Sequence, residues 1–560
     1  SLRNSSGFAY GVGSRVLVML DGIPMLSGES GDIKWDALPI NHIKQVEIVK
    51  NAGSALYGSN AIGGIVNIIT DDIAKNRYSA DLTLGIYDEP YYPEWRWSNK
   101  TRIFHSASGE ISHLFNKWAL TARISEKQSD SYRQLDQFSR FDSFIKAKYR
   151  ADDNNDLAIT ANVAYEDRGR YLSWLDIEHA LEVDSLELND RVYSSKIFIS
   201  AIYNSRKPAR KYSSTLKSYI FFTDWNDRSF NSDDNRYERS FSKSSKSGLE
   251  YSFNLAHIDR HFFTAGAESY LATVNSTFFD NRLGLGGAIF AQDEISILEP
   301  LTCSVGGRLD YFNVEDANQY LQFSPKLGMV VRMKDNIALR SSIGTGYRTP
   351  SMAELFSDLT VAGLLRILPN PDLKAEKSIT TEIGGNIITT YGIFDIAVFS
   401  SWYDDFIEPK SIEESESEYK FQNIEDARVY GTELSFSLYH RIIDFSASYQ
   451  YTRSEDLKLN EKLPYRPEHI ASLSANLKYY KNFSFNAGYR YKSEKDFILQ
   501  PTKGYSPSVS EKVLDIGHNV NFGRYYINIK VNNVLQYHYS EVQYGIEPIR
   551  HYVISTGVRF

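Results

Sequence analysis

The chain has 560 residues, a formal charge of −8, 39 tyrosines, 31 phenylalanines and one cysteine. Lone Cys303 excludes an internal disulfide framework, the acidic balance argues against nucleic acid as a partner, and no run of about 18 apolar residues is present to form a transmembrane helix. A transmembrane β-barrel stays open, because alternating strands average out as polar and abundant aromatics suit its two interfacial girdles; a large secreted all-β protein has the same composition.

Residues 1–73 differ from the rest of the chain. Arg15–Ile23 (RVLVMLDGI) is a short apolar run ending in an Asp-Gly turn, Ile43–Val49 alternates, and Gly53–Thr70 mixes small residues and glycines before an apolar strand. This is a small α/β module with too little chain for a large core of its own. A phosphate loop at Gly58–Gly64 lacks the Lys-Ser/Thr such a loop requires.

From about Tyr78 to Phe560 the chain breaks into period-two segments. In 378–387, Ile379, Ile383 and Ile387 oppose Ser378, Thr380, Glu382 and Asn386; in 429–438, Tyr430, Leu434, Phe436 and Leu438 oppose Glu433, Ser435 and Ser437. Segments 471–478 and 525–532 alternate in the same way. About 22 strands are expected, with long connections (88–100, 128–140, 170–190, 352–377, 411–419, 457–469, 498–511, 540–551) alternating with tight turns such as Asp152–Asn155 and the one around Gly523. Lipid demands closure of such a sheet. The last segment places Tyr552, Ile554, Val558 and Phe560 on one face and ends at an aromatic, which resembles the signal read by barrel-assembly machinery.

Several stretches then carry a family resemblance. "VLVMLDGIPM … LPINHIKQVEIVKNAGSALYGSNAIGGIVNIIT" resembles the second half of the plug domain of TonB-dependent receptors. "GYRTPSMAELF" (Gly346–Phe356), "NPDLKAEKSITTEIGG" (Asn370–Gly385), "FQNIEDARVYGTELSFS" (Phe421–Ser437) and "VNNVLQYHYSE" (Val531–Glu541) are similar to barrel signatures of that family, in the family's order. The resemblance implies a 22-stranded antiparallel outer-membrane β-barrel over 78–560, occluded by a partial α/β plug in 1–73. It also implies a Gram-negative outer membrane with periplasmic termini, and energy delivered by TonB with ExbB and ExbD through a TonB box. That box, the first plug strands and the secretory signal are expected upstream of Ser1. Lipopolysaccharide and a small-molecule chelate are the other partners expected, for a monomer without a resident cofactor.

The family's Arg-Gly-Pro is here Lys50-Asn51-Ala52, which keeps charge but loses bidentate geometry. By parity Glu382 and Glu433 point inward; either they pair with Lys50 or neighbouring donors while Glu47 meets a barrel cation, or they line a wetted lumen. The segment Met25–Asp32 is apical in related receptors, so Met25, Ser27, Glu29 and Ser30 are either ligand contacts or an ordinary solvated loop. Tyr91, Tyr92, Trp95 and Trp97, with Tyr171 and Trp174, suit either flat, partly apolar chelates or the outer girdle.

Metal centres find little support. His257 and His261 sit four apart in a short-turn region rather than on a helix, and Glu413, Glu414, Glu416 and Glu418 read as a solvated acidic loop ahead of a calcium site. No histidine lies between Arg348 and Asn370, where haem receptors of the family usually place one. No GxSxG, HExxH or CxxC is present, so no enzyme is expected. The expected cargo is a ferric siderophore ahead of cobalamin. A passive diffusion pore, a barrel hydrolase and a soluble β-protein are the competing classes.

Overall fold

The computed structural model describes residues 2–5, 13–39, 42–50, 54–73, 75–231, 235–256, 259–361, 365–412, 415–495, 509–542 and 544–560. Its first elements form a four-stranded sheet from β1 (Val16–Leu20), β2 (Ile23–Pro24), β3 (Ile43–Val49) and β4 (Gly64–Thr70), in the order β2-β1-β4-β3. β1 runs parallel to β4 and the other pairs are antiparallel. Every residue of β1 is buried, which explains its unbroken apolar run. The short helix α1 (Ser54–Tyr57) separates β3 from β4.

The rest is a closed ring of 22 long strands that begins at β5 (Arg77–Tyr87), with three short extra strands carried in its loops. Each long strand pairs antiparallel with its chain neighbour, and His551–Arg559 pairs back onto β5, so no edge is exposed. Alternation follows the sequence: Ile379, Ile383 and Ile387 are 50%, 71% and 41% exposed, whereas Glu382 is 5% exposed. The exposed set is the lipid face. At the end with the tight turns it carries Phe115, Trp118, Tyr391, Tyr439, Tyr480 and Phe560, an aromatic girdle.

Among the described residues the connections alternate as expected; of the expected loop 498–511, residues 498–508 lie outside the described residues. Phe115–Trp118, Lys334–Ile337 and Phe522–Tyr525 are tight, and the last uses Gly523 at φ +63, a left-handed conformation that disfavours a side chain. Chain 170–190, 349–375 and 533–550 joins strands at the other end. One expected loop differs: 411–419 is largely strand, since Gly392–Ile412 and Ser415–Tyr439 extend past the ring and pair with each other. The final connection likewise starts at 533 rather than 540.

The small sheet sits inside the ring. Lys146 Nζ lies 3.4 Å from Asp21, Lys217 Nζ donates to the Gly22 carbonyl at 3.1 Å, and Arg308 donates to the Leu56 carbonyl at 3.1 Å, so contacts come from several sides of the wall. The plug core (Leu17, Val18, Leu20, Ile23, Ile65, Ile68) also packs on lumen-facing Phe198, Tyr219 and Phe221.

Ile289, mid-strand in Asp280–Leu298 and 61% exposed, tests the lipid face. Ile289→Arg should cost about 2–4 kcal/mol if the position lies near the bilayer midplane, read as a lower urea midpoint for folding into lipid vesicles.

Candidate functional site at the plug and outer loops

Two plug arginines anchor the inner module. Arg3 Nη2 lies 2.6 Å from Glu382 and 2.7 Å from Glu433, and its guanidinium stacks over Phe399 at 4.2 Å. Arg340 approaches the other oxygen of Glu382 at 3.0 Å. Arg15, 3% exposed, reaches Glu376 at 2.6 Å and Glu408 at 3.4 Å, and lies over Phe406 at 3.7 Å. Arg348 grips Glu376 at 2.9 Å and Glu354 at 2.8 Å, while Arg466 meets Glu408 at 2.6 Å.

The local chain explains the arrangement. Glu376, Ser378, Thr380 and Glu382 share the inward face of one strand by period two. Glu354 sits at N3 of helix α2 (Met352–Phe356), where Ser351 forms a capping box with it. Gly13, at φ +70, passes so close to Glu354 and Arg348 that any side chain there would collide with them.

Of the residues expected as a latch, Glu382 and Glu433 face the lumen and Lys50 Nζ stands 3.4 Å from Glu433. Lys50 is 44% exposed at its side chain, and Arg3 occupies the centre of the pair. Glu47 does not meet a barrel cation; it is exposed and bonds to Gln45 and Asn67 within the plug. Arg3, Arg15, Glu376 and Glu408 were not singled out by sequence. A usable signal existed in the two plug cations and in the parity that places Glu376 beside Glu382.

The apical segment is a second departure from expectation. Met25, Ser27, Glu29 and Ser30 are 1%, 2%, 8% and 5% exposed, so they do not form an open loop. Glu29 accepts from Ser244 and Thr223 of the wall and lies 3.5 Å from Lys34, while its carbonyl accepts from the Ala353 amide at 3.0 Å. Glu29 is thus held between the wall and helix α2, and Met25 shares a core with wall residues Phe198, Tyr219 and Phe221. Burial opposes ionisation of Glu29, but the Lys34 charge and the Ser244 hydroxyl outweigh it and hold the carboxyl below its ordinary value.

The aromatic candidates lie in the long loops, in differing roles. Trp95 and Trp174 are buried in a loop cluster with Tyr132, Leu181, Tyr544 and Ile546. Trp97 stacks on Arg102 at 3.5 Å, and Tyr171 lies under Arg133 at 4.0 Å. Tyr91 and Tyr92 are 70% and 42% exposed. His261 pairs with Asp293 at 2.7 Å and Glu418 approaches Arg366 at 3.9 Å; His257, Glu413 and Glu414 lie outside the described residues, as does the side chain of Glu416. Among the described residues no group of three metal-ligating side chains converges.

Arg15→Ala would leave Glu376 and Glu408 buried without that partner, a change that typically costs about 3–5 kcal/mol. Residues 13–73 should then exchange amide hydrogens and admit protease faster, while the barrel keeps its melting temperature. For Glu29 the folded carboxyl binds protons less readily than the unfolded one. Its contribution is therefore complete above the ordinary value of 4.5 and lost as pH falls through the lower folded value. Amides 27–33 should accordingly keep their protection at pH 6 and lose it towards pH 3.

The family described as TonB dependent receptor-like, beta-barrel matches residues 67–534, and the TonB-dependent Receptor Plug Domain matches residues 1–65. An iron-regulated outer membrane virulence protein of Vibrio cholerae serotype O1 is 25% identical, over 93% of this chain and 80% of its own length. A vitamin B12 transporter BtuB of Photobacterium profundum is 22% identical, over 81% and 70%. The ferric citrate transporter FecA in its unliganded form shares the fold at TM-score 0.81 and 14% identity, covering 99% of this chain and 89% of that one. The siderophore receptor PirA of Pseudomonas aeruginosa does so at 0.75 and 16%, covering 98% and 91%. With both domains matched in order and the ring closed around the plug, the chain belongs to the TonB-dependent receptors of the outer membrane, a family of transporters and receptors rather than enzymes.

Proposed function

We propose that the chain imports a ferric siderophore, with TonB, ExbB and ExbD supplying the energy. The observation that carries this reading is the polar latch. A lumen occupied by a module held through Arg3 and Arg15 suits gated import more than passive diffusion. Ion pairs of this kind are strong in geometry yet close to neutral in net free energy against full hydration, so a pull on the plug could exchange them for water without unfolding the wall. The iron-regulated and siderophore-receptor relatives support an iron chelate. The chelate is cargo, not a resident cofactor, and the receptor works as a monomer amid outer-membrane lipid and lipopolysaccharide. Similarity to vitamin B12 transporters favours cobalamin as the second reading.

Binding of a panel of ferric siderophores, cobalamin and haem to the full-length receptor in detergent separates these. Tight binding of one iron chelate is expected, with uptake lost in cells lacking TonB. Tight cobalamin binding with no iron chelate bound would reverse the ranking. A passive pore predicts that removing residues 1–73 leaves conductance unchanged, whereas a marked rise is expected here.

A further inference from the structure

The outer face of the wall changes character along the adjacent strands Asn155–Gly169, Arg191–Lys207, Tyr212–Asn231 and Arg236–Leu255. Period two fixes which side chains point outward, and exposed Ile199 and Ile220 mark that face. Val163, Ile197 and Phe222 are cross-strand partners in its last wholly apolar row. The next outward row towards the long loops holds Tyr165, Ser195, Asp224 and Lys243, and the one after it Tyr193, Asn226 and Phe241. Tyrosines at this level mark the membrane–water interface.

One row further out, three arginines stand side by side. Arg191 pairs directly with Arg228, and Arg228 directly with Arg239, so consecutive strands present the same charge at the same register. Like charges directly opposite one another oppose strand pairing. Arg191 is answered by Asp167 at 2.6 Å, and Lys243 in the row nearer the bilayer by Asp224 at 3.4 Å. Arg228 and Arg239 are exposed, and among the described residues neither has a carboxylate in ion-pair range. The Arg228 guanidinium lies over the ring of Tyr237 at 4.7 Å, which sets its direction without neutralising it. An outward position beyond the bilayer needs only a polar side chain, so two uncompensated guanidinia next to a third invite an anion.

We propose that Arg191, Arg228 and Arg239 form a docking site on the outside of the barrel for the phosphorylated sugar headgroup of one outer-leaflet glycolipid. Height selects this class of lipid. From Phe222 to Arg228 the chain advances six residues, about 20 Å along the strand and about 15 Å along the membrane normal at the usual tilt. A phospholipid headgroup layer is only about 7 Å deep, which reaches Asp224 and Lys243 but not the arginines. A headgroup that extends to them has to be a larger one, carrying its phosphates on an oligosaccharide. Width selects more than one phosphate, because strands about 4.8 Å apart spread the row over about 10 Å. Guanidinium forks bind phosphate through paired hydrogen bonds, a geometry lysine lacks. The site needs only a barrel standing in the outer membrane and is independent of which cargo the receptor carries.

The test uses the full-length receptor refolded into lipid-free detergent and titrated, in a native mass spectrometer, with purified lipopolysaccharide that bears core phosphates. The wild type should retain one glycolipid, and Arg228→Gln/Arg239→Gln should weaken its retention about tenfold. Enzymatic removal of the core phosphates should weaken binding to the wild type by a similar factor and leave the double variant little changed. Lys334→Gln/Lys481→Gln removes two exposed charges at the tight-turn end and should change nothing. Phosphatidylglycerol and inorganic pyrophosphate should compete poorly; competition as strong as that of the glycolipid would place a phospholipid or a free anion on the row and overturn the proposal. Equal retention of the phosphorylated and dephosphorylated forms, or by R228Q/R239Q and the wild type, overturns it too. Thermal unfolding separates a structural role: without glycolipid the variant should melt no lower than the wild type, and added glycolipid should raise the melting temperature of the wild type alone. A variant that melts lower in lipid-free detergent would mean that the arginines hold the wall instead.

Discussion

Hydrocarbon offers no partner for a backbone amide or carbonyl, and the architecture obeys that constraint throughout. The sheet must close, and it does so where His551–Arg559 meets β5, with Tyr78 and Phe560 exchanging backbone hydrogen bonds at the seam. Closure with 22 strands leaves a bore too wide for wall side chains to fill. A second module has to occupy it, or the outer membrane would leak. The wall's inner face is largely polar by period two, so that module meets the wall mostly through hydrogen bonds and ions.

This gives the plug–barrel contact its thermodynamic character. A plug seated on apolar surface would resist withdrawal in proportion to the area exposed. A plug seated on Arg3 and Arg15 is held in one place and orientation by bidentate geometry, yet its groups would regain hydration on withdrawal. Aromatic rings at Phe399 and Phe406 exclude water from each guanidinium while the seat is occupied.

The long loops supply the remaining order. One group packs Phe279, Phe312, Tyr320, Leu355 and Phe356 into a small apolar core that holds α2 down on the plug. Another joins Trp95, Tyr132, Trp174 and Tyr544 across four loops, stitched by Trp95 Nε1 donating to the Ile177 carbonyl at 2.9 Å and Tyr132 donating to the Ile546 carbonyl at 2.7 Å. These loops carry their own hydrophobic stabilisation, so their resting positions are defined although they lie outside the membrane.

The sequence by itself determined the alternating wall, the inward direction of Glu382 and Glu433 and the division into a small glycine-rich module and a barrel. A strand's period is two, and any other register would put carboxylates in lipid. Adjacent strands pair in chain order, so their neighbours could be read along the chain. Tertiary structure alone decided what meets across the lumen. Arg3 lies 379 and 430 residues from its partners Glu382 and Glu433, and no local pattern encodes that distance. It also decided that Met25, Ser27, Glu29 and Ser30 are covered, with Met25 in one core with wall residues Phe198, Tyr219 and Phe221 and Glu29 held between the wall and α2, and that Trp174 is loop core while Tyr91 stays exposed. Those outcomes depend on how loops far apart in sequence bury one another's apolar surface, a collective property that no single segment carries.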